Sequence, residues 1–273
     1  MHSRSSRYAI GIIAAIAALL LLSPTMFAQS DSARKKEAKD PLADEPFNPH
    51  DLSGIWDTAP RLQPADQPHP LAMGQTASKY PLPPFSPAGE KQYQANVKFI
   101  AAGDVLDCNP LGTARDFFTP RPFEIIKAND RLLQHFEYYS DWREIWTDGR
   151  KIPSDAEPDF MGYAIGHWDG NTLVVESAAY NGLTFMSWNG FPMSTEMHQT
   201  EHWQRINYDT LKIDFTFNDP KMYSKPWQVT YFYKLKPTWT LDAHVCTLAG
   251  IRQFDNTVTK KYGLDGLGYK GQK

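Results

Sequence analysis

The chain has 273 residues, with 28 Lys and Arg against 31 Asp and Glu for a formal net charge of −3, so no general basic field is present to attract nucleic acid or an anionic membrane surface. The strong catalytic signatures are also missing: there is no G-x-S-x-G elbow, no H-E-x-x-H, no P-loop and no G-x-G-x-x-G after a strand, which removes the usual support for common hydrolases, zincins and nucleotide enzymes.

Residues 1–28 read as an export signal, in which Arg4 and Arg7 give the positive start, Ala9 to Leu22 an apolar run, and Pro24 to Ala28 a breaker and small-residue exit. Cleavage is expected after Ala28. The apolar run is shorter than the ~20 residues a spanning helix needs; a retained anchor is the competing reading, because Met26 suits the cleavage site poorly. About 245 residues then remain, enough for one large β domain. Residues 29–51 are charged, small and Pro-containing, and read as a linker.

The folded domain is expected over residues 52–249. Leu52-Ser53-Gly54-Ile55-Trp56 opens a first strand, and Pro60 to Pro87, rich in Pro and Gln, reads as an extended surface loop. Ser86 as N-cap, Pro87 in the first turn and Glu90 just inside predict a helix that ends near Gly103, with Tyr93, Val97 and Ile100 as its packing face. Cys108 to Pro122 is irregular, with a short helix about Thr113 to Phe118. From Phe123 onward the pattern is strands and turns. Asn129-Asp130 joins FEIIKA to RLLQHFEYY, so that Glu124 faces His135 and Phe123 faces Phe136. WREIWTDGR follows, turning at Asp148-Gly149.

The clearest hairpin is Gly162 to Tyr180. A type I′ turn centred on Asp169-Gly170 would set His167 opposite Thr172, Ile165 opposite Val174 and Tyr163 opposite Glu176 on one face, as the lining of a cavity or groove. Trp168, Ala164, Leu173 and Val175 take the other, core face. Asn181 to Thr195, rich in Gly, Asn and aromatics, has the length of a lid or wall over a cavity mouth. MHQTEHWQRI and TLKIDFTFND pair about Asn207 to Asp209, with Leu211, Ile213, Phe215 and Phe217 alternating as in a half-buried strand. Trp227 to Lys236 and Trp239 to Cys246 complete about ten strands, and residues 250–273 form a frayed tail. The fold class is mainly β: an antiparallel meander closing into a lipocalin-like barrel or curved sandwich, with one or two N-terminal helices. Closure hides the edges of so long a meander.

The mature chain keeps two cysteines, Cys108 and Cys246. In an oxidising periplasm two such thiols pair more often than not; two buried free thiols are the alternative.

Gly54-x-Trp56 resembles the opening motif of lipocalin-like barrels, with a core Trp on an ordinary strand as the plainer reading. LSGIW at 52–56, RPFEII at 121–126, REIWTDGR at 143–150, GHWDGNTLVVE at 166–176, TEHWQR at 200–205, NDPKMYSKPW at 218–227 and HVC at 244–246 look like the ordered motifs of a family of exported β-rich bacterial proteins. The resemblance spans roughly residues 51–247. It implies a secreted β domain and supports Cys108 and Cys246 as a pair, and it implies no established activity. Where similar sequences follow the second Cys with acids and amides, this chain has Thr247, Leu248 and Ala249.

Candidate chemistry lies in polar groups on strands. His167, Glu176, His198 and Glu201 are candidate proton-transfer groups, and His198 with Glu201, three apart on a strand, point to opposite faces. His198 and His202 share a face and, with His167 and Glu176, have the donor types of a mononuclear site, although ordinary surface or core histidines explain them more simply; no metal or cofactor is expected. Arg143 and Arg150 offer forks for an anion, or else brace the turn beside Asp148. Glu137 and His135 complete the polar set. Seven of the Trp residues recur nearly once per strand, Trp168 and Trp188 among them, as stacking walls or core filling. The leading reading is a periplasmic or secreted protein that binds a small hydrophobic or aromatic molecule in a barrel cavity, oriented by His167, Tyr163, Glu176 and Arg143. The alternatives are a lyase, isomerase or hydrolase built on a His/Glu pair, and a carbohydrate-binding or envelope-associated domain using exposed Trp residues such as Trp188.

Overall fold

Nine strands close into one barrel in sequence order: β1 Gly54–Thr58, β2 Phe123–Lys127, β3 Arg131–Phe136, β4 Trp142–Trp146, β5 Tyr163–Asp169, β6 Thr172–Ala178, β7 His198–Asn207, β8 Thr210–Asn218 and β9 Trp227–Leu235. This computed structural model describes residues 45–64, 81–101, 108–247 and 249; the expected signal, most of the expected linker and the tail from Gly250 lie outside them. Every described residue belongs to the unit Pro41–Lys273. A ring of strictly antiparallel strands needs an even number of strands. Nine close because β4 and β5 run parallel, Ile145 beside Ala164 and Trp146 beside Ile165, and all other neighbours are antiparallel. The meander is therefore broken once, where the long connection 147–162 returns the chain to the end it left.

The β2–β3 pairing follows the sequence, with Phe123 opposite Phe136 and Glu124 opposite His135. The central hairpin is slipped by two residues. Its loop is Gly170-Asn171, so His167 faces Val174, Ile165 faces Glu176 and Tyr163 faces Ala178. Gly170 takes the first loop position with φ +55°, the arrangement of a type II′ turn rather than I′. Trp239 to Cys246 forms no strand. β1 pairs with β9 through Trp56–Leu235 and Thr58–Tyr233, so the edge such a strand would need is already occupied.

Two helices precede the main run of strands, α1 Pro87–Ala101 and α2 Thr113–Phe117. Ser86 caps α1 by accepting the Gly89 N–H at 3.0 Å. The face of α1 turned inward is Gly89, Tyr93, Asn96 and Ile100, whereas Val97 is 37 % exposed. A Cβ at Gly89 would sit 1.8 Å from the Met222 carbonyl oxygen, so only glycine lets the helix lie this close to the loop after β8.

All five residues of α2 are buried. A helix of that length has no stability of its own; packing holds it. The Phe117 ring lies 5.0–6.2 Å from Phe215, Phe136, Phe123, Trp203 and Tyr233, and Phe118 meets Phe215, Phe217 and Tyr231. α2 thus plugs the barrel. Leu211, Ile213, Phe215 and Phe217 of β8 complete the filling at 0 % exposure each.

A disulfide joins Cys108 to Cys246 across 138 residues of chain. It ties the segment entering α2 to the exposed stretch after β9, whose other attachments include the Tyr138–His244 bridge. No helix among the described residues is long and apolar enough to cross a membrane.

Candidate functional site

Strand alternation decides where the polar candidates point. On β5 and β6 the residues Tyr163, Ile165, His167, Val174 and Glu176 share the outer face; His167 and Glu176 are exposed and Tyr163 is half-buried, its hydroxyl accepting from Arg150 at 3.4 Å. They line no cavity, because the face toward the interior is the other one, carrying Ala164, Leu173 and Val175. His198 is exposed at the start of β7, while Glu201 faces inward at 0 % exposure. No proton-transfer pair of His167 or His198 with Glu201 is assembled. Among the described residues no cluster of His, Cys, Asp or Glu could hold a metal ion.

Arg143 is engaged by an internal carboxylate. Its two terminal nitrogens donate to Glu201 at 3.2 and 2.6 Å, and one also donates to Ser177 at 2.7 Å. Glu201 accepts further from the Gln199 amide and the Trp203 indole, both at 2.8 Å, so the buried carboxylate is fully engaged. Arg150 clamps Asp148 in a two-pronged pair at 2.9 and 2.6 Å and lies over the Trp146 ring at 3.5 Å, bracing the turn. The remaining candidates also have structural partners. His135 stacks on Trp142 with centroids 4.2 Å apart, and burial lowers its pKa against the pull of Glu124 and Glu137. Trp168 stacks on His50 at 4.3 Å. Glu137 pairs with Arg121 at 3.8 Å. Trp188, 8 % exposed, donates its indole N–H to Thr119 and offers no exposed platform.

The cleft lies elsewhere, beside α1 and α2, with a volume of about 470 Å³. The loop 181–195 forms one wall, as its composition suggested; α1, the segment 109–110, Phe160 and the turn at 221–222 supply the rest. Phe99, Phe160, Leu183, Phe185, Met193 and Met222 make its apolar lining. Phe99 and Leu183 stand 44 % and 75 % exposed at the rim.

Arg115 of α2 reaches the cleft from below. Its guanidinium carbon is 4.2 Å from the centre of the Phe185 ring and 3.9 Å from that of Trp188, within cation–π range of both. Next to it Asp116, 3 % exposed, lies against Asp141, with which it shares a side-chain hydrogen bond. Burial, then the like charge of Asp141, push its pKa well above the usual carboxylate range against the opposing pull of Arg115, favouring the protonated acid. Asp141 is raised too, chiefly by burial, while the Leu111 N–H that it accepts at 2.9 Å works the other way. The backbone here is strained: Tyr139, Ser140, Ala179 and Cys108, none of them glycine, all have φ between 55° and 62°.

Comparison with family models, with curated proteins and with solved structures finds no match. The cleft is therefore read from its own chemistry. Arg115 and Lys221 escaped the sequence reading because one sits in a helix too short to show a period and the other in a turn. The only signal in the chain was the wall at Asn181 to Thr195.

Proposed function

We propose that this is an exported binding protein that holds a small organic molecule with an apolar or aromatic body in the cleft between α1, α2 and the loop 181–195. The observation that carries the reading is the contrast between the barrel interior and the cleft. The barrel interior is filled by α2 and its ring contacts, whereas the cleft has the size and the mixed aromatic and polar lining of small-molecule sites. Export rests on the segment Met1 to Ala28 and agrees with a disulfide, which persists in oxidising compartments. A His/Glu enzyme has no comparable support, since Glu201 is buried on the inner face while His167, Glu176 and His198 stand exposed on the outer face, away from the cleft.

A thermal-shift titration with a panel of small aromatic compounds tests this reading. Thr195 is exposed and lines the cleft, so Thr195→Trp fills it without disturbing the core. Compounds that raise the melting temperature of the natural protein should lose most of that effect on the variant. Equal effects on both proteins would place binding elsewhere and end the reading.

A further inference from the structure

We infer that the cleft takes an uncharged molecule, an aromatic ring system with an amide-like edge that offers both a hydrogen-bond acceptor and a donor. The inference rests on the cleft reading above and adds the charge and the polar edge of the ligand.

A ligand cation would meet no counter-charge, because the described lining holds no Asp or Glu and two cations, Arg115 and Lys221. A ligand anion fares little better. Arg115 already attracts the carboxyl groups of Asp116 and Asp141, so its charge is answered from within the protein. Asp219, 1 % exposed, lies directly behind the wall. It accepts from the backbone N–H and hydroxyl of Ser194, at 2.7 and 2.8 Å, and from the Met222 N–H at 3.2 Å, and both of those residues line the cleft. Its negative charge opposes a carboxylate set on the other side of them. Lys221 is the remaining cation of the lining and stands exposed at the rim. An exposed ammonium returns little of the hydration that a carboxylate gives up on entering a cleft.

The uncharged polar groups divide into those that hold the walls together and those with capacity left over. Asn96 donates to the Gly190 carbonyl at 3.0 Å and accepts from Gln92 Nε2 at 2.9 Å, Thr184 donates to the Leu111 carbonyl at 2.9 Å, and Ser194 is bound to Asp219. Asn181 accepts the Leu183 N–H on its side-chain oxygen at 3.0 Å, which pins the amide and leaves its NH₂ as a donor at the cleft. Gln92, anchored through its nitrogen, keeps its side-chain oxygen as an acceptor, and the exposed Thr195 hydroxyl serves as either. A donor and an acceptor of this kind suit the carbonyl and N–H of a carboxamide, while Phe99, Phe160 and Leu183 cover the ring. A purely apolar occupant would leave both of them unpaired beneath it, which costs affinity.

The test is calorimetric titration of the intact, disulfide-bonded protein with 2-naphthamide and with 2-naphthoate, which differ in charge and hardly in shape. The amide should bind at least about tenfold tighter. Asn181→Asp keeps the oxygen that the Leu183 N–H needs and removes the NH₂; it should weaken naphthamide about fivefold. Gln92→Leu changes an exposed helix position and should weaken naphthamide to a similar extent, while leaving unchanged the binding of 2-acetylnaphthalene, which has the carbonyl but no N–H. Circular dichroism confirms that both variants fold. Acid binding as tightly as amide, or tighter, would overturn the inference and leave the cleft reading standing, and so would naphthamide binding both variants as well as it binds the natural protein. No heat from either probe up to its solubility limit would remove both.

Discussion

Arg143 and Glu201, with side chains 1 % and 0 % exposed, make the most consequential pair in the barrel. Removing a charge from water costs several kcal/mol, and the mutual attraction offsets that only while both partners are present. Glu201→Gln leaves Arg143 buried without its counter-charge and should cost about 3–5 kcal/mol in urea unfolding. Adding Arg143→Met to the same chain should recover part of that loss, because the stranded charge is gone. Asp116 gives the opposite lesson. Its pKa is raised in the folded state, so between the ordinary carboxylate pKa and the raised one the native protein binds more protons than the unfolded chain, and stability falls as pH rises through that window. Asp116→Asn keeps the shape of the neutral acid. It should flatten the decline above the ordinary carboxylate range and be the more stable of the two proteins at the upper end of that window. A residual slope is expected from Asp141, which is shifted the same way.

α2 is the element that turns a hollow barrel into a solid one. Phe117→Ala removes a ring in contact with five others and should cost about 3–5 kcal/mol, measured as a lower urea midpoint. The strands were legible because alternation is a local property: the β8 residues Leu211, Ile213, Phe215 and Phe217 show it without reference to any neighbour. The β5–β6 register was not. Asp169-Gly170 and Gly170-Asn171 both offer glycine for a positive φ, and the two loops differ by a slip of two residues, which returns every side chain to the same face. Hydrophobic pattern cannot separate them. The core face of the hairpin, with Ala164, Leu173 and Val175, was read correctly, but Ile165 and Val174 make the outer face partly apolar too, and it passed for the lining of a cavity. That error carried His167, Tyr163 and Glu176 into a cavity the barrel does not place beside them.

At the scale of the whole molecule, closure was predictable from the need to hide strand edges, and the parallel β4–β5 seam was not, since it depends on which end a long loop returns to. The cleft was legible only as its 181–195 wall. Its other walls come from segments around residues 92, 110, 160 and 222, and no local pattern brings those together. The Cys108–Cys246 bond spans 138 residues and links the segment beside the 109–110 wall to the chain after β9. Replacing both cysteines by Ser should lower stability by about 2–4 kcal/mol, seen as a drop in melting temperature that reductant reproduces in the natural protein.

The central claim, that ligand binds beside the plug and not inside the barrel, is tested most directly by methyl NMR on methionine-labelled protein during a 2-naphthamide titration. Met193 and Met222 line the cleft, whereas Met161, Met186 and Met197 are buried and not part of its lining. The first two methyl signals should move by ring-current shifts while the other three stay fixed. Movement of Met186 and Met197 with Met193 and Met222 unmoved would contradict the account.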